Sequence, residues 1–146
     1  MDLERRIAFE ISVAVFGKIQ PDCEELLTEE RFDWWIDEAE SGGRIGESGA
    51  GSGFFDDGLV PMLAAPLILK LVVYSMKQLR KRKDDDAIRP ENIRPSVENV
   101  VEEGVNQVVQ PKRVLFKVAD KAFDEFIKAI CREAIEIIVR ILSGDN

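Results

Sequence analysis

Residues 59 to 76 read LVPMLAAPLILKLVVYSM, and the run KQLRKRK, Lys77 to Lys83, follows without a break. As an α-helix these 18 apolar-rich residues extend about 27 Å, close to the thickness of a bilayer's hydrocarbon core. Nine of them are Leu, Ile or Val: Leu59, Val60, Leu63, Leu67, Ile68, Leu69, Leu71, Val72 and Val73. On a membrane-insertion scale those residues contribute roughly −3 to −5 kcal/mol, Lys70 near the middle costs up to about 3 kcal/mol, and the prolines add to the cost. The balance is near zero. The segment therefore suits two settings: the centre of a helical bundle, with Lys70 reaching outward along its stem, or a lipid surface. In the second, Lys77, Arg80, Lys81, Arg82 and Lys83 are the contacts to anionic headgroups, at roughly 1 kcal/mol each. Pro61 and Pro66 predict an irregular entry, with regular helix mainly from Leu67 onward.

Both flanks are helical in pattern. From Asp2 to Ile19, apolar residues fall at Leu3, Ile7, Ile11, Ala14 and Val15, with Phe9, Val13 and Phe16 beside them, a wide arc that predicts deep burial. Gly17 and Pro21 end it. Asp22 and Glu25 have capping-box spacing, and Leu26, Leu27, Phe32, Trp35, Ile36 and Ala39 continue as one or two short helices to about Glu40. Downstream, Arg89-Pro90 and Arg94-Pro95 disfavour helix locally, and Ser96 is the expected N-cap of a helix that carries Val97, Val100, Val101, Val105, Val108 and Val109 and ends at Pro111. The clearest pattern runs from about 112 to 142. There Leu115, Val118, Ala119, Ala122, Phe126, Ile130, Ala134, Ile137, Ile138 and Ile141 recur at three and four, opposite the pairs Lys121/Glu125, Asp124/Lys128 and Arg132/Glu136. Ser143-Gly144 is a C-cap signal. The expected fold is all-α: a small irregular helical bundle, one domain over residues 1–146, around an apolar central helix at about 59–76 with a long C-terminal helix at about 112–142.

Between the front helices and the apolar segment, residues 41 to 58 read SGGRIGESGAGSGFFDDG, with seven glycines and three serines. Glycine at that density opposes helix and strand, so a flexible connection is expected, with Arg44 as a candidate protease site. A hinge there would let the front helices mask residues 59–76 and release them.

Charge is distributed unevenly. The net of −8 divides into −10 for residues 1–58, +4 for 59–95 and −2 for 96–146. An acidic chain of this kind is a poor nucleic-acid binder, because phosphate contact needs a net basic face. The acidic front and basic middle are complementary within the fold or between copies. Residues 22–40 would also serve an acidic protein that imitates nucleic acid.

Little in the chain speaks for catalysis. It contains no histidine, which removes His-based triads, histidine general bases and mixed Cys/His zinc sites. Glu30, Asp33 and Asp37 share a helical face, read as a solvated acidic surface, and no glycine pattern matches a phosphate-cradling loop. Cys23 and Cys131 are far apart and outside any metal-ligand spacing, and Cys131 sits at apolar spacing with Ile127, Ala134 and Ile138. No catalytic, cofactor-binding or metal residue is expected, and no cofactor. A reduced, cytoplasmic setting follows from the cysteine usage and from the lack of a cleavage pattern after Ile7–Phe16, with membrane association as the variant. Trp34 and Trp35 lie about 100° apart on one helix, so both cannot face inward; the outer one is a candidate partner anchor. The expected function is a non-enzymatic interaction or assembly module acting through apolar helix faces and the acidic front, with a protein partner or a second copy. The alternative is a membrane-acting protein that releases residues 59–76 through the hinge onto an anionic membrane.

Overall fold

The computed structural model describes residues 1–41, 61–86 and 88–144. They form five α-helices, with short 3-10 or π turns before α2, before α4 and between α4 and α5: α1 (Leu3–Ile19), α2 (Glu29–Glu40), α3 (Pro61–Asp84), α4 (Ile93–Gly104) and α5 (Asp120–Leu142). The result is a small all-α bundle.

Long-range pairs fix the directions. Glu4 meets Arg80 at 3.7 Å, so the start of α1 lies beside the end of α3. Arg94 holds Glu136 at 2.8 Å and Lys18 holds Glu133 at 2.6 Å, which brings the start of α4 and the end of α1 onto α5. Helices α1, α3, α4 and α5 thus close a ring of packed neighbours, with α1 antiparallel to α3 and α4 antiparallel to α5, and α2 lies outside it across α1 and α3. With α1, α2 and α4 around it, α3 has the most enclosed position. This explains why its buried residues, among them Met62, Ala65, Ile68, Leu71, Val72 and Leu79, spread over a wide arc.

Local chemistry accounts for the helix ends. Asp2 caps α1 through its carboxylate, which accepts from the Arg5 amide at 2.8 Å. Thr28 caps α2 in the same way through the Arg31 amide. The expected one or two short helices are a 3-10 turn, Pro21–Leu26, which contains the Asp22–Glu25 spacing, and then α2. At the far end, Gly144 takes φ +80°, and its amide returns to the Ile141 carbonyl, which closes α5 as expected.

Three boundaries differ from the sequence expectation. Regular helix in α3 begins at Pro61 and continues through the basic run to Asp84. Pro66 cannot donate to the Met62 carbonyl, and the turn around it is held by burial of Met62, Ala64 and Ala65. At the other end, Lys and Arg are good helix formers, and their charge suits a helix C-terminus. Helix α4 starts at Ile93 rather than at Ser96. Pro95 is then its third residue, where the amide would have had no intrahelical acceptor, so the proline costs little. Finally, α5 starts at Asp120, eight residues later than expected. Helical backbone runs on from Gly104 through a π turn (Val105–Val109) and a 3-10 turn (Gln110–Leu115), then breaks as Phe116 turns inward against Phe123 and Phe126. Arg113 locks this fold-back: its guanidinium lies 4.5 Å from the Phe123 ring centre and pairs with Asp120 and Asp124. Leu115, expected on the apolar face of the last helix, is instead 48% exposed.

Candidate interaction surfaces

The apolar stripes that would have served as interfaces are used up inside the bundle. On α1, Ile7, Ile11, Val15 and Phe16 are buried, and on α5 so are Phe123, Phe126, Ile130, Ala134 and Ile138. Phe16 stacks on Phe126 across the two helices, with ring centres 5.8 Å apart. Contact with another molecule therefore falls to what the bundle leaves outside.

The expected core-or-membrane segment is divided by its surroundings. Leu67, Ile68, Leu71 and Val72 are buried, Leu63 and Leu69 are half-buried, and Val73 is exposed. Lys70, Val73 and Lys77 form one outward stripe at helical spacing, so Lys70 reaches water from the surface of α3. Leu59, Val60 and Arg44 lie outside the described residues, as does the 41–58 connection after Ser41. By length and composition α3 is able to cross a membrane, with a mean hydropathy of 1.4 over its most apolar window, but 56% of that window is buried inside the bundle.

Of the candidate anionic-surface contacts, Lys77, Arg80, Lys81 and Lys83 are exposed and Arg82 is half-buried. Arg80 is partly occupied: it meets Glu4, and its Nε donates to the Met76 carbonyl at 3.3 Å.

The acidic face of α2 stays in solvent at Glu30, Asp37 and Glu40, and Arg5 gathers part of it as a clamp. Arg5 of α1, only 19% exposed, donates to Asp33 at 3.1 Å and Asp37 at 2.9 Å and meets Glu40 at 3.4 Å. Burial works against its charge, but the hydrogen bonds to Asp37 and Asp33 outweigh that and hold its pKa above the ordinary arginine value. Arg6 adds a contact to Glu29 at 3.4 Å. On the buried side of α2, Phe32 meets Phe9 edge to face, with ring centres 5.6 Å apart. Trp35 is 4% exposed and Trp34 is 55% exposed, so Trp34 is the outward ring, with Glu30, Arg31, Asp37 and Glu38 one turn to either side.

Sequence reasoning missed a second apolar anchor. Val114, 86% exposed, and Leu115 stand at the tip of the 3-10 turn before α5, between the exposed Lys112 and Lys117. The available signal was Pro111 followed by an apolar pair bracketed by cations, which fits a helix-breaking turn as well as the helix stripe assigned to it.

Neither cysteine is arranged for nucleophilic work. Burial, aided by the Glu102 charge, pushes the Cys131 thiol up to about 11, and burial with Asp22 also raises Cys23. No family model, no curated protein and no solved structure matches the chain.

Proposed function

We propose that the chain is a non-enzymatic helical assembly module, in which Trp34 on the acidic α2 of one copy seats against the Val114–Leu115 tip of another. The observation that carries this reading is the pairing of two exposed apolar anchors in opposite electrostatic settings. Trp34 has Glu30, Arg31, Asp37 and Glu38 one turn to either side, three acids to one base with Asp37 shared with Arg5, and Val114–Leu115 is flanked by Lys112 and Lys117. Exposed aromatics are the commonest energetic anchors of interfaces, and complementary charge speeds and orients the encounter. The anchors belong to different faces. Trp34 sits beside the clamp on the first turn of α1, whereas the tip precedes the start of α5, near the end of α1. Contact between them is either head to tail, in rings or open chains, or reciprocal in a twofold dimer that sets each anchor against the opposite one. Sedimentation velocity across a wide range of concentration is the test. Association that strengthens with concentration, weakens with salt and is lost in Trp34→Ala and in Leu115→Ser would support the proposal. A chain that stays monomeric throughout, or association indifferent to both substitutions, would sink it.

A second reading rests on α3, the enclosed helix with the length and apolarity to cross a bilayer. Here α1, α2 and α4 would mask it until cleavage near Arg44 or movement of the front helices released it onto anionic lipid. Liposome leakage by the chain before and after a cut at Arg44 tests this. Lack of binding by either form removes the membrane reading; binding only after the cut, reduced by salt, favours it.

A further inference from the structure

Three helix ends converge where α3 finishes, α4 begins and α5 stops, and they do not close on one another. Between them lies a cleft of about 260 Å³. Its floor is apolar, formed by Met76 and Leu79 of α3, Ile88 and Ile93 around the start of α4, and Leu142 at the end of α5. Three cations stand at its rim: Arg80, Lys83 and Arg89. Glu4 engages Arg80, but Lys83 and Arg89 make no ion pair among the described residues. Among the acids near in sequence, Asp84 ends α3, Asp85 and Asp86 form the turn after it and Glu91 follows Pro90; all four are exposed and none is part of the lining. The carbonyl ends of α3 and α5 also point to this end of the bundle and disfavour an anion. The sign of the site is therefore decided by the three side-chain cations.

An apolar chamber with cations confined to its mouth matches a molecule with an apolar tail and an anionic head. We propose that this cleft binds a single-chain anionic amphiphile, a medium-chain fatty carboxylate in its simplest form. The tail lies on Met76, Leu79, Ile93 and Leu142, and the carboxylate is held between Lys83 and Arg89. Arginine suits this role because its planar fork takes a carboxylate through two parallel hydrogen bonds. Size sets the chain length. An open cleft of about 260 Å³ takes a chain of medium length, on the order of ten carbons. The site is separate from Trp34 and from Val114–Leu115, and it requires no opening of the bundle, so it stands or falls independently of the assembly and membrane readings.

The test is titration of the full chain with saturated carboxylates of increasing length, all below their micelle concentrations, followed by calorimetry and by amide chemical shifts. Affinity is expected to rise about fourfold per added methylene, the factor that corresponds to about 0.8 kcal/mol, and to level off near ten carbons. Shifts should concentrate at residues 76–93 and at Leu142. Lys83→Gln combined with Arg89→Gln, both at exposed positions, should lower the melting temperature only slightly and weaken decanoate at least tenfold. Decanol, which lacks the charge, should bind weakly and equally to both proteins. Any of four results would overturn the proposal: no saturable binding of decanoate, equal binding of decyltrimethylammonium, affinity that climbs without a plateau to much longer chains, or shifts scattered through the core. Adsorption to anionic vesicles without binding of monomeric carboxylate would likewise overturn it and point to the surface lysines alone.

Discussion

Replacing Gly104 with alanine should destabilise the bundle, although the same change in an exposed helix stabilises it. Gly104 is the last residue of α4, buried where α4 crosses α3. A Cβ there would stand 2.7 Å from Cδ1 of Leu71 and 2.9 Å from Cδ1 of Tyr74. Both distances are about 1 Å inside comfortable carbon contact. Neither neighbour gives way cheaply. Leu71 is fully buried, and the Tyr74 hydroxyl donates to Glu103, the residue beside Gly104 on α4 itself. Overpacking of this kind costs about 1 to 3 kcal/mol, and two close contacts place it in the upper part of that range. Against this, alanine in place of glycine favours helix by about 1 kcal/mol. The net loss is about 1 to 2 kcal/mol, or roughly 3 to 6 °C in melting temperature for a chain of this size. Gly17 supplies the control: it is an exposed residue of α1, and an added Cβ there meets nothing within 4 Å. Gly17→Ala should raise the melting temperature by a few degrees. Thermal unfolding followed by circular dichroism reads both. Leu71→Ala is costly by itself, because it empties part of the core, but its pair with Gly104→Ala should cost less than the sum of the two single changes, since the shortened side chain vacates the space. A Gly104→Ala protein at least as stable as the parent would refute the close approach of α4 to α3.

Ser75 is fully buried in α3, and its hydroxyl has no partner among the described residues. Ser75→Ala should therefore stabilise by about 1 kcal/mol in chemical denaturation, since it removes an uncompensated polar group. Arg5→Met leaves Asp33, Asp37 and Glu40 facing one another without their cation. It should cost about 1 to 3 kcal/mol and speed amide exchange in α2 before the rest of the bundle. Uniform exchange across all helices would show that the clamp does not hold α2 specifically. The Cys131 thiol is shifted upward from 9.0 to about 11 in the fold, so above pH 9.0 the unfolded chain loses its proton first. Stability should be insensitive to this group below that pH and fall as pH climbs towards 11, a slope that Cys131→Ala should reduce.

Much of the fold was legible because helix formation leaves a local record. Apolar residues recur at three and four in α1 and α5, and Asp2 and Ser143-Gly144 mark helix ends through bonds that span only a few residues. The enclosed position of α3 could also be anticipated, since its apolar arc is too wide for a helix packed on one side. Less legible were the boundaries where local preference competes with packing. Pro66 and Pro95 look like breaks, yet one is overridden by burial and the other falls where its missing amide has no acceptor. Leu115 fits the period of α5, but Phe116 and Arg113 fold back on Phe123, a contact between side chains that periodicity does not report.

By itself, then, the chain determined its helical class, the segments that become helices, the near-neutral insertion balance of residues 59–76 and the need for one of Trp34 and Trp35 to face outward. These are properties of spacing and composition, and they hold before any two helices meet. Tertiary structure decided which tryptophan faces out, that Lys70 lies on a solvent stripe, that Arg5 gathers three carboxylates of α2, and that three helix ends leave a basic-rimmed cleft. Each of those outcomes depends on which surfaces of distant segments come into register. Periodicity along one helix carries no information about its partner, so only the packed arrangement selects among faces and ion pairs that the sequence leaves equivalent.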